Sequence, residues 1–173
     1  TIMENKGKPI DIKSESSMEI IKKNGKKRTL KLINRSKDNS KKQMLWFLEP
    51  KDDFGIAFLK IEHEDENDFM NMWLPGFKKN RRISSSKKSD SFMGSDLSFE
   101  DMTNRNLDEY IFKIVNDSVA CKENSEEFCY ILSSIPKDEY SEYSKHLTWV
   151  SKNKFLAIKE DSFDKDNNKL KTK

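Results

Sequence analysis

The stretch Leu74-Pro75-Gly76-Phe77-Lys78-Lys79-Asn80-Arg81-Arg82-Ile83-Ser84-Ser85-Ser86, taken up after two lysines by Ser89-Asp90-Ser91-Phe92-Met93-Gly94-Ser95-Asp96-Leu97-Ser98-Phe99-Glu100-Asp101-Met102, is too particular to be surface filler. An apolar strand end runs into paired arginines, then a serine-rich loop, then a compact set of aromatic, glycine and acidic positions. Each part has a physical reading. Gly94 permits a backbone angle that other residues avoid, and Asp96 is placed to cap a helix. Arg81 or Arg82 is placed to pair with Asp96, Glu100 or Asp101 and so fasten the loop. Ser98, with Asp101 three residues later, has the form of a capping box with a shortened acidic partner. A short amphipathic helix over Asp96 to Thr103 is therefore expected to lay Leu97, Phe99 or Met102 on a sheet.

Outward from this stretch, aromatic and β-branched clusters recur about every dozen residues, as strands do. Before it lie Met44-Leu45-Trp46-Phe47-Leu48, Ile56-Ala57-Phe58-Leu59-Lys60-Ile61 and Phe69-Met70-Asn71-Met72-Trp73-Leu74, separated by Pro50 to Gly55 and by the acidic stretch His63 to Asp68. Further back, Asn24-Gly25 supplies two residues tolerant of positive φ between Met18 to Ile21 and Arg28 to Leu32, the form of a two-residue hairpin. Neither face of that ribbon is cleanly apolar, so partial cover is expected. After the stretch, Tyr110 to Val115, Phe128 to Leu132, Leu147 to Val150 and Phe155 to Ile158 continue the series. The expectation is a mainly β chain (α+β at most, helix being scarce) of about nine or ten strands with short, antiparallel connections.

Several strands are apolar on both faces: Trp46 and Leu48 alternate with Leu45 and Phe47, and Trp73 alternates with Met72 and Leu74. A sheet with water on one side alternates apolar with polar instead. Something must cover the second face, either helices or a ligand in a concavity.

Composition sets the bounds. At 173 residues the chain has the size of one domain, 1–173, with residues 1–11 and the Lys-rich 165–173 expected to be poorly ordered. Charged residues outnumber hydrophobic ones, 36% against 34%, so apolar material is scarce, yet eleven Phe, four Tyr and three Trp argue against disorder. The 33 basic and 30 acidic residues are interleaved and leave +3, which is not the one-sided basic face of a nucleic-acid protein. No apolar run approaches the roughly 18 residues that span a bilayer. A chain starting at Thr1 without an apolar leader fits an exported protein whose signal peptide has been removed.

Catalytic chemistry finds little to stand on. Two Cys and two distant His make no zinc pattern. Asp164-Lys165-Asp166-Asn167-Asn168 begins like a calcium loop, but Lys169 stands where Gly is required and no closing Glu follows, so it reads as a turn. Among five Gly there is no phosphate-cradling motif, and no Gly-x-Ser-x-Gly elbow. Neither a cofactor nor a metal is expected, and no catalytic residue. Cys121 and Cys129 flank seven residues and either face each other across a hairpin as a disulfide or are two unrelated buried thiols.

The Leu74 to Met102 stretch resembles the signature of the LolA-like outer membrane lipoprotein-sorting proteins, in which an aromatic-Leu-Pro strand end leads into paired Arg, a Ser-rich loop and a Phe-Met-Gly-Ser-Asp-x-Ser-aromatic-Glu-Asp run. The likeness extends from the Asn24-Gly25 hairpin through Phe54-Gly55 and Phe58-Leu59 to Cys129-Tyr130-Ile131, Trp149-Val150 and the last hairpin near Asp164. Two positions depart from it: Asn71 stands where a Trp is common, and Gly76 where Ala is usual. The resemblance implies a strongly curved antiparallel sheet forming an unclosed half-barrel with short lid helices over a hydrophobic concavity. It implies a non-enzymatic periplasmic carrier of lipid, or of the acyl chains of lipoproteins, in transient contact with membranes. A transporter of the RND or MMPL type is the implied partner, with no nucleic acid. Trp46, Leu48, Phe58, Trp73, Phe92 and Met93 are then the candidate lipid contacts. Arg81, Arg82, Asp96, Glu100 and Asp101 are the candidate lid latch. The rival reading is an envelope-stress sensor or adaptor that uses the same fold to bind a membrane regulator; a second, C-terminal domain would favour it.

Overall fold

The clusters read from the sequence become strands paired with their neighbours in the chain. The computed structural model describes residues 10–63, 66–105, 107–123 and 125–173. Six strands, β1 (Ile12–Ile21), β2 (Lys27–Lys37), β3 (Lys42–Glu49), β4 (Ala57–Ile61), β5 (Phe69–Leu74) and β6 (Lys79–Ile83), form one antiparallel sheet in sequence order. Five more, β7 (Tyr110–Ala120), β8 (Phe128–Pro136), β9 (Lys145–Ser151), β10 (Ala157–Phe163) and β11 (Lys169–Thr172), form a second, again each beside the next. Both sheets are open. The mainly β expectation holds, with eleven strands rather than nine or ten. The chain gathers into two compact units, Lys8–Asn104 and Arg105–Lys173.

The first unit is built on one face of its sheet. Leu45 lies opposite Phe58, and Phe58 opposite Met72, while Met70 lies opposite Ile83. Side chains alternate across a strand, so this face gathers Leu30, Leu32, Leu45, Phe47, Phe58, Met70, Met72 and Ile83 into one buried cluster. Phe92 and Phe99 close it from the loop after β6: Phe92 stacks at 5.3 Å from Phe58 and 5.6 Å from Phe99, both nearly edge to face, a geometry that adds to the burial itself.

Residues buried in the second unit are of another kind: Ser133, Ser134, Ser141, His146, Thr148, Ser151, Asp161 and Ser162 accompany Tyr143, Val150, Cys121 and Cys129. Cys121 and Cys129 are joined in a disulfide, their Cα atoms 5.1 Å apart across the β7–β8 turn.

Four local expectations change. Strands β1 and β2 are joined by a longer turn than the two-residue one: Lys22 pairs with Lys26, the Gly25 N–H donates to the Lys22 carbonyl at 2.8 Å, and only Gly25 has positive φ, at 79°. Three residues, Lys23 to Gly25, therefore form the loop, with glycine in the left-handed position that closes a bulged three-residue hairpin. The helix expected over Asp96 to Thr103 is a single 3₁₀ turn, Glu100–Met102. Half of its capping box is present, since the Ser98 N–H donates to Asp101 Oδ2 at 2.9 Å, but Ser98 Oγ also turns to that carboxylate and not to a backbone N–H. The segment 165–173 is not frayed: after a turn in which Asp164 Oδ1 accepts from the Asp166 and Asn168 N–H groups, β11 pairs with β10. The 1–11 expectation falls on 1–9, outside the described residues, and on Ile10 and Asp11, just before β1. Among the described residues, three-residue 3₁₀ turns stand where short lid helices were expected.

Candidate functional site

The face of the first sheet opposite its core carries a second set of apolar side chains. By register, Ile33, Trp46, Ala57 and Trp73 form one row across β2 to β5. Lys13, Arg35, Met44, Leu59, Asn71 and Arg82 form the next across all six strands. Lys37, Lys42, Ile61 and Phe69 form a third. The middle of the face is apolar and half-buried, and Trp73 remains 37% exposed. A polar outer face would have cost nothing here.

The last two rows open into a cavity of about 780 Å³, lined by Met44, Leu59 and Ile61 beneath Lys13, Arg35 and Lys42, within the ordinary size of ligand pockets. Toward the other edge the Arg82 guanidinium lies over the Phe69 ring, 5.5 Å from its centre. Between them, Asn71 Oδ1 is buried with no hydrogen-bond partner among the described residues. This is the position at which the resembling family commonly carries Trp, and an apolar ring there would leave no orphaned acceptor.

The six candidate lipid contacts divide between the two faces. Trp46 and Trp73 share a row of the open face, and Leu48 is exposed at the end of β3, where the β2–β3 register shifts. Phe58 and Phe92, both fully buried, belong to the packed core, and Met93 packs half-buried against the same core. Strand parity separates Phe58 from Trp46, and the loop folds Phe92 inward because Met93 and Gly94 both take positive φ, 56° and 74°. The open face also includes Met44, Leu59, Ile61 and Phe69 and the cations Lys13, Arg35, Lys37 and Lys42, which sequence reasoning missed. Only the β2–β3 register, visible in neither composition nor motif, brings them together.

The loop is held at several points. Arg81 reaches Asp90 at 3.6 Å and Arg82 sits on Phe69. Asp101 folds back on Ser98, while Glu100 is buried and its N–H donates to the Lys88 carbonyl; exposed Asp96 stands in the turn between them. The fastening residue is Arg28 of β2, which binds the buried Asp53 and donates to the Met93 carbonyl at 3.4 Å. At the loop's far end, Asn104 donates its N–H and its amide to the two oxygens of Glu62, which also holds Lys60 at 2.6 Å.

The second unit contains a polar cluster around His146. His146 Nδ1 lies 2.8 Å from Ser162 Oγ and 3.8 Å from Glu160, and Arg105 grips Glu160 with both guanidinium nitrogens. Serine and carboxylate approach the same ring nitrogen and Ser162 is fully buried, whereas a hydrolytic triad needs them on opposite nitrogens with the serine open. Burial pushes the Glu160 carboxyl up, but hydrogen bonds and charge from Arg105, with His146 and Lys173, outweigh it and hold it below its ordinary value.

The open antiparallel fold is one that the chain shares with LolA-like proteins. A structure from Vibrio parahaemolyticus assigned to an outer membrane lipoprotein-sorting protein domain is similar at 28% identity, over 94% of this chain and 68% of that one, with a TM-score of 0.84. A LolA superfamily protein from Nitrosomonas europaea shares the fold at 20% identity and a TM-score of 0.65, over 94% of this chain and 66% of that one. A DUF1329 family protein from Desulfovibrio piger is 31% identical over 97% of this chain and 72% of that one, TM-score 0.84, and a family described as an uncharacterized protein matches residues 39–173. The chain belongs to the DUF1329 family. No curated protein matches it in sequence.

Proposed function

We propose that this protein is a non-enzymatic carrier that holds lipid, or the acyl chains of a lipoprotein, on the open face of its first sheet and passes them across the periplasm toward the outer membrane. The observation that carries this reading is the face itself: Trp46 and Trp73 remain half-buried or exposed on it, and Met44, Leu59 and Ile61 line a cavity of about 780 Å³ in its neighbouring rows, while a separate core is packed behind them. Acyl chains need a dry surface and no directional partner, and each buried CH₂ contributes about 0.8 kcal/mol. The lipoprotein-sorting assignment of the Vibrio relative supports the cargo class. No described helix is long and apolar enough to cross a membrane, which fits a protein that visits bilayers.

Native mass spectrometry with lipid extraction, on protein purified from the periplasm of expressing cells, tests it. Co-purifying phospholipid or acylated peptide is expected, and Trp73→Asp is expected to abolish retention while the protein stays folded. A clean apo mass with no binding of a fluorescent fatty acid would sink the proposal. It would move the weight to the adaptor reading, which one feature favours: edge strand β7 exposes Ile111, Phe112, Ile114 and Val115, an apolar edge open to another chain.

A further inference from the structure

Charge on the open face is arranged against the interest of the fold. Lys13 lies directly opposite Arg35 in the β1–β2 ladder, and Lys37 directly opposite Lys42 in the β2–β3 ladder. Like charges facing each other across strands are destabilising. Elsewhere in the same unit cations meet carboxylates: Lys27 with Glu19, Lys31 with Glu49, Arg28 with Asp53, Lys60 with Glu62. With 30 acidic residues in the chain, four neighbouring cations on one face are not forced by composition. Lys42 is partly relieved by Asp38 at 2.8 Å, a carboxylate that Lys37 also attracts; Asp11 stands at the rim, and Glu15 shares the face two residues beyond Lys13. Among the described residues Lys13, Arg35 and Lys37 have no carboxylate at ion-pair distance.

All four cations lie on the face where the cavity opens, in the same rows as Met44, Leu59 and Ile61. A basic rim over an apolar floor is complementary to one kind of molecule, an amphiphile with an anionic head. We infer that this rim selects the cargo by its headgroup: Arg35, Lys37, Lys42 and Lys13 bind the phosphate of an anionic phospholipid whose chains lie on the apolar floor. The inference rests on the carrier reading and adds the cargo's charge to it. A guanidinium flanked by ammonium groups suits a phosphate, Arg supplying the fork and Lys the point charges. The fold tolerates the repulsion because these side chains are exposed and screened when the cavity is empty.

The test titrates the intact protein with short-chain phosphatidylglycerol and with phosphatidylcholine of the same chain length, following fluorescence of Trp46 and Trp73. At low salt phosphatidylglycerol is expected to bind about tenfold tighter or better, since each cation near an anionic lipid contributes roughly fivefold. In Arg35→Gln/Lys37→Gln, both exposed positions, the preference is expected to fall to near unity, phosphatidylglycerol losing far more affinity than the zwitterionic phosphatidylcholine, whose choline already offsets its phosphate. High salt should do the same. Equal binding of the two lipids by the unaltered protein overturns the headgroup inference and leaves the carrier reading standing. Binding of neither lipid overturns both. Inorganic phosphate alone competing as strongly as phosphatidylglycerol would show a free-anion site, and that too overturns the inference.

Discussion

Lys60 and Glu62 provide the strictest test of how the first unit is held together. The Lys60 ammonium is 2% exposed and lies 2.6 Å from a Glu62 carboxylate that is itself 6% exposed. The same carboxylate accepts the Asn104 N–H at 2.7 Å and its side-chain amide at 2.8 Å, so it ties the end of the loop to β4. Glu62→Gln keeps an acceptor for Asn104 but strands a buried positive charge, and breaking a buried pair from one side typically costs about 3–5 kcal/mol. Lys60→Met/Glu62→Gln removes the stranded charge as well. It is expected to lie within about 1–2 kcal/mol of the parent, because apolar replacement of a buried pair is often near neutral. The assay is urea unfolding in a Trp149→Phe background, in which Trp46 and Trp73 of the first unit provide the signal. A loss below about 1 kcal/mol for Glu62→Gln, or strict additivity of the two substitutions, would refute the pairing argument.

Other outcomes follow from the same packing. Phe92→Ala removes a fully buried ring in contact with Phe58 and Phe99 and is expected to destabilise the first unit by about 3–5 kcal/mol; a loss near zero in the same urea assay would mean that the loop does not close the core. Asn71→Leu removes an orphaned buried acceptor and is expected to stabilise by about 1 kcal/mol or more, read as a raised unfolding midpoint. Glu160, held below its ordinary value of 4.5 when folded, contributes stability that is complete above that value and lost as pH falls through the depressed one. Glu160→Gln should therefore lower the stability of the second unit at neutral pH and narrow its gap to the parent below pH 4.5, as followed by Trp149 fluorescence.

Most of the first sheet was legible because its signals are local. Phe69 to Leu74 coincides with β5, and the clusters at Trp46 and Phe58 lie in β3 and β4, since alternating bulky residues between polar turns leave few other structures open. β11 was hidden by its composition: Lys169 to Thr172 has one apolar residue and is held by pairing to β10 and by Thr172 donating to Asp161. The Asp96 to Thr103 helix failed for a physical reason. Ser91, Ser95 and Ser98 bond to nearby carbonyls and a carboxylate, and such local bonds compete with a helical ladder. Of the site, aromatic identity was legible and facing was not. Phe58 and Trp46 look alike in sequence, yet strand parity sends one into the core and the other to the open face.

The same parity explains why the proposed headgroup rim has no sequence signature. Lys13, Arg35, Lys37 and Lys42 are four of 33 basic residues in an almost neutral chain, and nothing in their spacing marks them. They become neighbours only because the turn between Lys37 and Lys42 sets the β2–β3 register and the β1–β2 ladder then carries Lys13 to Arg35. A slip of one residue would send Met44 inward and Leu45 outward. Packing of Leu45 against Phe58 therefore fixes the rim as firmly as it fixes the core. A surface whose charges repel one another stays assembled because the register is decided on the other side of the sheet, by residues that the charges of the open face do not touch.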